Sequence, residues 1–267
     1  YLLFFTEMWE RFSYYGMRAI FILFLTKAIL LSNKDASNIY GSFTGLVYLT
    51  PLLGGYLCDR YLGNRRSILV GGIMMAIGQF LLFMCASSIQ NPGLSQTLLW
   101  AGLTVLIVGN GFFKPNISSM VGELYHESDH RRDAGYGMFY AGINIGGFFG
   151  GILCIYLGKY YSWQLCFLSA AIVMVFGLLT FLFTKKHLGP IGNSPLLHLE
   201  PSKRKFKEMA VYIGSLLSIP FIFIMVKNTN YTDYFMYTIG IIAVIYFLYE
   251  VVKLGDAKLQ KKMIAAF

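Results

Sequence analysis

Near the start of the chain, four charged residues interrupt an otherwise apolar segment, which reads Glu7-Met8-Trp9-Glu10-Arg11-Phe12-Ser13-Tyr14-Tyr15-Gly16-Met17-Arg18. At the helical period, positions i, i+3, i+4, i+7 and i+11 form one narrow stripe, and here they are Glu7, Glu10, Arg11, Tyr14 and Arg18. A charge at the bilayer centre costs at least about 2.5–3.5 kcal/mol, so a spanning helix must turn such a stripe toward a polar interior. The stripe therefore predicts a water-lined cavity, with structural ion pairs between helices as the alternative.

The composition indicates the class of protein. Of the 267 residues, 56% are hydrophobic and 13% are charged, whereas a soluble domain carries about 25% charged residues. The chain is therefore predicted to be an all-α, polytopic membrane protein that lies in a lipid bilayer. Eight apolar runs are long enough to cross a hydrocarbon core about 30 Å thick, and they lie near residues 1–31, 38–58, 67–87, 97–122, 134–158, 163–184, 209–226 and 234–254.

The basic residues predict the orientation of these spans. The net charge of +9 is not read as nucleic-acid binding, because Lys and Arg lie in the short connections between apolar runs. The connections on one side of the membrane contain fifteen Lys and Arg residues, from Arg60 to Lys262. Those on the other side contain four, namely Lys27, Lys34, Lys159 and Lys227. The positive-inside rule places the richer side in the cytoplasm. We therefore expect a multi-pass protein of the cell inner membrane with both chain ends on the cytoplasmic side.

The beginning of the chain carries a further expectation. The first residue is Tyr1, with no initiating Met and no cleavable signal peptide. We therefore expect the chain to begin partway into its first helix and to be trimmed at both ends.

The second span combines helix-bending and close-packing residues. Pro51 removes a backbone donor, and Gly54 and Gly55 allow a neighbouring helix to approach closely. The span ends in Gly55-Tyr56-Leu57-Cys58-Asp59-Arg60-Tyr61-Leu62-Gly63-Asn64-Arg65-Arg66. This pattern predicts a tight glycine turn that holds an acidic helix end against basic loop residues, although the same residues would also serve as a plain topology signal.

The fourth span contains a lone lysine, Lys114, beside Pro115 in an apolar setting. A buried ammonium group requires a partner, and a carboxylate at about 4 Å would supply roughly 4 kcal/mol at an effective dielectric constant of 20. Such a pair would open when its carboxylate takes up a proton. A static salt bridge is the alternative.

The fifth span has a ridge of small residues, because Gly142, Gly146 and Gly150 recur every four positions. Such a ridge lets two helices pack in close contact. Asn144 lies two residues from the ridge, so its amide is predicted either to face a cavity and a polar ligand or to form an interhelical hydrogen bond.

The cysteines and histidines form no catalytic or metal-binding set. Cys58, Cys85, Cys154 and Cys166 are scattered without a C-x-x-C motif and are read as packing residues. All four histidines lie in loops or in the linker after the sixth span, so a proton relay inside the membrane would depend on carboxylates. Neither H-E-x-x-H nor a nucleophile with its base is present, so we predict neither an enzyme nor a metal or organic cofactor.

Three motifs carry a resemblance to a known family. They are Glu7-x-x-Glu10-Arg11-Phe12-x-Tyr14-Tyr15-Gly16, Phe113-Lys114-Pro115-Asn116 and Phe139-Tyr140-x-x-Ile143-Asn144-x-Gly146. Together, and in this order, they resemble the proton-dependent oligopeptide transporters of the major facilitator superfamily. In that superfamily, the loop between the second and third helices latches one half of the transporter against the other, which implies gating roles for Asp59, Arg60 and Gly63.

The resemblance also implies a domain organisation. The family has two six-helix halves, and its prokaryotic members often add a helical hairpin between them. The chain then consists of an N-terminal six-helix bundle at 1–184, a cytoplasmic linker at 185–208, an accessory transmembrane hairpin at 209–254, and the start of the second bundle at 255–267. The second six-helix half of the same protein would be its partner.

Site residues follow from the resemblance position by position. Glu7, Glu10, Arg11 and Lys114 become the proton-coupling cluster, and Arg18 and Lys114 would attract the terminal carboxylate of a peptide. The tyrosines at 14, 15 and 48 and Asn144 would line the pocket. The implied function is a proton-coupled symporter that imports di- and tripeptides by alternating access, with protons as the coupling ion. A carrier of another small anion such as nitrate, or a sensor that transports nothing, is the alternative.

Overall fold

The structure, a computed structural model, describes residues 1–126 and 128–253. These residues form eight α-helices and no β-strand. The helices are α1 Leu2–Lys27, α2 Asn33–Leu57, α3 Asn64–Ser87, α4 Pro92–Glu123, α5 Arg131–Tyr160, α6 Trp163–Thr184, α7 Pro201–Lys227 and α8 Thr229–Lys253. The predicted start of a second bundle, residues 255–267, lies outside the described residues.

Six of these helices, α3 to α8, are long and apolar enough to cross a membrane. Helices α1 and α2 are of similar length, 26 and 25 residues, but they are more polar. The charged stripe lies in α1, and α2 opens with Asn33-Lys34-Asp35 and contains Pro51. The sequence predicted eight membrane spans, and it remains a prediction that α1 and α2 cross the membrane.

The first six helices pack into one bundle. Helix α1 lies along α5, α3 lies along α4, α6 contacts both α1 and α3, and α2 packs on α4. The largest fully buried side chains of this bundle are phenylalanines, namely Phe21, Phe24, Phe43, Phe113, Phe167 and Phe181. Helix α7 rests against α4 and α2, and α8 contacts α2 and α7. The hairpin therefore attaches to one side of the bundle.

The glycine ridge of α5 brings that helix against the backbone of α1. A Cβ atom at Gly146 would collide with the carbonyl oxygen of Met8, and one at Gly150 would collide with that of Phe12. Gly142 meets the ring of Phe4 in the same way. The close helix contact predicted from the spacing of small residues is confirmed, and it fixes the rotation of α1 in the bundle.

The connection between α6 and α7 is shorter than predicted. It contains two short 3-10 helices, Lys185–Leu188 and Pro195–His198, and α7 begins at Pro201. Proline suits the first turn of a helix because its missing N–H would have no intrahelical partner there. The basic run from Lys203 to Lys207, which was assigned to the linker, is therefore the first part of α7.

Candidate functional site

Arg11 lies between two carboxylates of its own helix. Its Nε donates to Glu10 Oε2 and lies 3.0 Å from Glu7 Oε1. All three residues are at most 2% exposed. Even so, Glu7 Oε2, Glu10 Oε1 and Arg11 Nη2 are buried without a hydrogen-bond partner. With two carboxylates for one guanidinium, the cluster is one negative charge in excess when all three groups are ionised, and it has free oxygens that can accept a proton.

Two tyrosines flank this cluster on the same helix. The Arg11 Cζ lies 5.4 Å from the ring centre of Tyr14 and 5.7 Å from that of Tyr15, within the range of cation–π attraction. Tyr14 is only 3% exposed, and its hydroxyl has no hydrogen-bond partner. Tyr14 was predicted to line the pocket, but it is absent from the lining of the cleft described below, because the helix turns this ring into the protein against Phe43. Tyr15 is half-buried and does reach the cleft.

Lys114 of α4 faces the α1 cluster from a distance. It interacts electrostatically with Glu7, Glu10 and Arg11, but no carboxylate lies within 4.0 Å of its Nζ among the residues that the structure describes. Instead, Nζ lies 4.5 Å from the ring centre of Tyr48. The salt bridge predicted for Lys114 is therefore not closed in this conformation, and a tyrosine face takes its place.

A cleft of about 630 Å³ opens between α1, α2 and α5. Arg18 stands in its wall, where Nε donates to the hydroxyl of Tyr40 and Cζ lies 5.4 Å from that ring. Tyr15 and Asn144 also line it. Asn144 Nδ2 donates to the carbonyl oxygen of Tyr140 at 3.1 Å, within its own helix, so the interhelical hydrogen bond considered as an alternative is not formed.

The predicted site residues thus fall into two groups, which an interaction between the side chains of Arg18 and Tyr48 connects. Tyr15, Arg18 and Asn144 share the cleft, whereas Tyr48 and Lys114 face each other on α2 and α4 and are absent from its lining. The cluster of Glu7, Glu10 and Arg11 is buried and interacts electrostatically with Lys114 of the second group. Their roles in binding and proton coupling remain predictions.

The turn after α2 is organised differently from the prediction. Asp59 and Arg60 are both exposed, and neither forms an ion pair in the described part of the chain, so the acidic helix end is not held by basic loop residues. Gly63 is buried with φ of 76°, and a side chain there would collide with the backbone of Asn193. Glycine is required at this position because of both its backbone conformation and the space available.

A carboxylate of α4, Glu123, holds this turn. Its Oε1 accepts from Asn64 Nδ2 at 2.5 Å, and its Oε2 accepts from the backbone N–H of Gly192 at 3.2 Å. Arg65 adds two contacts to the same segment, its N–H to the Gly192 oxygen at 3.0 Å and its guanidinium to the Gly189 oxygen. These hydrogen bonds connect the linker between α6 and α7 to the turn between α2 and α3.

Sequence reasoning missed several of these residues. Tyr40 lies two helical turns before Tyr48, and that spacing on an already polar face was the available signal. Gln79 and Asn110 are amides in the middle of apolar spans, and both residues are at most 1% exposed. Gln79 Nε2 reaches the Ser13 carbonyl oxygen at 3.4 Å, but its Oε1 and both amide atoms of Asn110 have no partner. The polar interior of the bundle is therefore larger than the α1 stripe alone indicates.

Comparison with known proteins adds independent information. The sequence model described as the POT family matches residues 65–198. Over 279 residues, the chain is 36% identical to the "Uncharacterized transporter YclF" of Bacillus subtilis, covering 100% of this chain and 54% of the relative. It is 30% identical over 265 residues to the dipeptide and tripeptide permease A of Pectobacterium carotovorum, covering 99% of this chain and 50% of that permease.

A solved structure agrees with these sequence matches. The crystal structure of a peptide transporter POT in complex with sulfate matches with a TM-score of 0.78 and 33% identity, covering 99% of this chain and 55% of that protein. All three matches are named as transporters or permeases, and none as an enzyme. The chain spans about half the length of the curated relatives it matches.

Proposed function

The chain belongs to the POT family, and on that premise we propose that it forms the first half of a proton-coupled symporter that imports di- and tripeptides by alternating access. The observation that carries this proposal is the buried Arg11, paired with Glu7 and Glu10 while both carboxylates keep a free oxygen. The permease among the relatives supports the substrate class. A second six-helix half would complete the transporter.

Proton coupling follows from competition for shared partners. A proton that reaches Glu10 or Glu7 from outside binds a free carboxylate oxygen and removes its negative charge. The attraction to Arg11 then weakens, because a neutral carboxyl group no longer forms an ion pair. Lys114 provides a second cation that a remaining carboxylate, or the substrate, can engage. Proton and substrate thus favour the same rearrangement, which is the condition for coupling.

The cleft beside the cluster suits one end of a small peptide. Its volume of about 630 Å³ falls inside the usual range of small-molecule sites, about 300–1,000 Å³. Arg18 offers a planar guanidinium for the terminal carboxylate, which it can bind with two parallel hydrogen bonds. Tyr15 and Asn144 would donate to or accept from the peptide groups. Lys114 with Tyr48, on the neighbouring helices, would provide a second cationic position.

We place this protein in the cell inner membrane, with the basic connections in the cytoplasm. The four cysteines of this chain are buried and should react little with a maleimide, so labelling of an added cysteine shows on which side of the membrane it lies. A cysteine at Lys34 or Asn230 should react with a membrane-impermeant maleimide added outside intact cells. One at Lys186 or Ser202 should react only after the cells are opened. Labelling of Lys186→Cys in intact cells would reverse the orientation.

Uptake by the full-length protein in liposomes tests the proposed function. An inward proton gradient should accumulate a labelled dipeptide above its equilibrium level, and a protonophore should abolish the accumulation. A passive channel would only equilibrate the peptide, and an anion carrier would prefer nitrate to the dipeptide. Counterflow exchange without gradient-driven accumulation would refute proton coupling, and the absence of both would refute peptide transport.

A second measurement tests the role of Arg18. A dipeptide whose terminal carboxylate has been converted to an amide should compete about 10–100-fold more weakly than the free peptide, because it loses a charge-assisted hydrogen bond worth roughly 1.5–3 kcal/mol. Arg18→Ala should remove most of that discrimination. Lys27→Ala, at the end of the same helix and outside the cleft, is the control and should keep it.

A further inference from the structure

A long groove separates the hairpin from the bundle, and it lies apart from the cleft and the charged cluster. It has a volume of about 1120 Å³ and runs between α2 and α4 on one side and α7 on the other. Along α7 it extends from Phe206 to Met225, which corresponds to about 28 Å of helix. That length approaches the roughly 30 Å of a bilayer core, so an acyl chain fits along it.

The groove is lined mostly by apolar side chains. Its walls are formed by side chains such as Leu53, Phe112, Phe221 and Ile222. Three hydroxyls along it already donate to helix carbonyl oxygens at 2.7–3.0 Å: Thr50 to Ile107, Ser215 to Val211 and Ser218 to Ser215. The other two hydroxyls belong to Tyr56 and Tyr61, which flank Arg60 in the sequence. A ligand here must therefore be apolar over most of its length.

One end of the groove is basic. Arg60 from the turn after α2 and Lys207 from the second turn of α7 line the same cavity, beside the exposed ring of Phe206. Neither cation forms an ion pair in the part of the chain that the structure describes, and the nearest aromatic partner of Arg60 is Tyr56, at 6.0 Å. An apolar helix seated in the groove would leave both charges without a counterion.

We propose that this groove binds an anionic phospholipid, with an acyl chain between the hairpin and the bundle and the phosphate between Arg60 and Lys207. Only a molecule with a long apolar part and one negative end satisfies both the apolar walls and the basic mouth. Basic clusters at the end of a spanning helix are typical sites for anionic headgroups. The lipid would then act as a wedge that fixes the position of the hairpin.

Native mass spectrometry of the full-length protein tests this site, with phosphatidylglycerol and phosphatidylcholine as the two lipids added. Phosphatidylglycerol should be retained preferentially, and Lys207→Ala should lower its occupancy about fivefold. Lys205→Ala is the matched control, because this lysine belongs to the same basic run but does not line the groove. Equal retention of the two lipids, or an equal loss in both variants, would overturn the proposal.

A second pair of variants tests the apolar part. Gly214 lines the groove, and a side chain added there meets open space, so Gly214→Phe should fill the groove and reduce retention of both lipids. Gly240→Phe places the same ring on α8 outside the groove and should leave retention unchanged. If Gly214→Phe retains phosphatidylglycerol as well as the unmodified protein does, the groove is not the lipid site.

Discussion

Helix α1 and the α7–α8 hairpin distribute charge in opposite ways. In α1, the charged groups lie in the middle of the helix and face inward, where Glu7, Glu10 and Arg11 are nearly inaccessible. In the hairpin, residues 209–226 and 234–249 carry no charge, and the charged residues lie near the helix ends. Of the 18 most apolar consecutive residues of α8, only 6% are buried, whereas 67% are buried in the corresponding stretch of α4. An exposed apolar helix is expected to face lipid, whereas buried charges inside a bundle of spanning helices are expected to belong to a functional site.

The two regions also differ in how they are held. Helix α1 is packed against the backbone of α5 through glycines, and Glu7, Glu10 and Arg11 pair with one another on the same helix. The hairpin packs on α2 and α4, and one ion pair joins the start of α7 to the bundle, where Arg66 of α3 contacts Glu208. We therefore expect substitutions in the α1 interface to cost much more stability than those in the hairpin. The following variants test that contrast.

The largest effect is expected from Arg11→Met. Removing the guanidinium leaves two buried carboxylates without a cation, and breaking a buried pair in this way costs about 3–5 kcal/mol. Thermal unfolding of the protein in detergent at pH 8 measures the loss. Lys203→Met is the control, because its pair with Glu200 is 72–74% exposed and should contribute almost nothing. Equal effects would show that the α1 charges are solvated.

A somewhat smaller loss is expected from Gly146→Leu. The new side chain would collide with the backbone of Met8, and overpacking typically costs about 1–3 kcal/mol. Gly151→Leu introduces the same side chain on the same helix where nothing lies within 4 Å, so its melting temperature should stay close to that of the unmodified protein. A melting temperature that falls by the same amount in both variants would contradict the close packing of α1 on α5.

For the hairpin, Arg66→Ala should loosen only the start of α7. Arg66 is 39% exposed and Glu208 10%, so solvent screening limits the loss to roughly 1 kcal/mol. Hydrogen–deuterium exchange should rise about fivefold in the first turns of α7 and stay unchanged in α1. The nearby Lys203→Ala is the control. Increased exchange in α1 would mean that hairpin and bundle are not independent.

The smallest effect is expected from removing the contact between Asp129 and Arg131, just before and at the start of α5. The pKa of Asp129 is below its ordinary value, because the Arg131 side chain donates to the carboxylate and the Arg131 backbone N–H adds a further bond. Since the folded pKa is the lower one, this contact is fully present above the unfolded value of about 3.9 and is lost as the pH falls through the folded pKa. A carbon-13 NMR titration should show the Asp129 midpoint rising in Arg131→Ala but not in Arg132→Ala.

Much of the fold followed from residue spacing alone. The period of Glu7, Glu10 and Arg11 predicted one polar face, and the ridge of Gly146 and Gly150 predicted a close helix contact. Both are local patterns, and a helix translates them directly into geometry. The start of α7 was misjudged, because a basic run before an apolar helix has the composition of a loop even when it is helical.

The site was less predictable because its contacts join distant parts of the chain. Glu123 meets Asn64, 59 residues earlier, and Arg18 meets Tyr40, 22 residues later. No spacing rule identifies such pairs. Tyr14 shows a second limit of sequence-based prediction. The helical spacing places it on the charged stripe of α1, but it does not indicate which neighbouring helix the ring packs against.

The most direct test of the central claim compares two transport modes of Glu10→Gln in the full-length protein in liposomes. We predict that counterflow exchange of a labelled dipeptide continues while accumulation driven by a proton gradient is lost, because the amide cannot bind and release the coupling proton. Glu200→Gln, an exposed glutamate in the linker, should keep both modes. Gradient-driven accumulation at the unmodified rate in Glu10→Gln would contradict the assignment of the α1 carboxylates as the proton-binding groups.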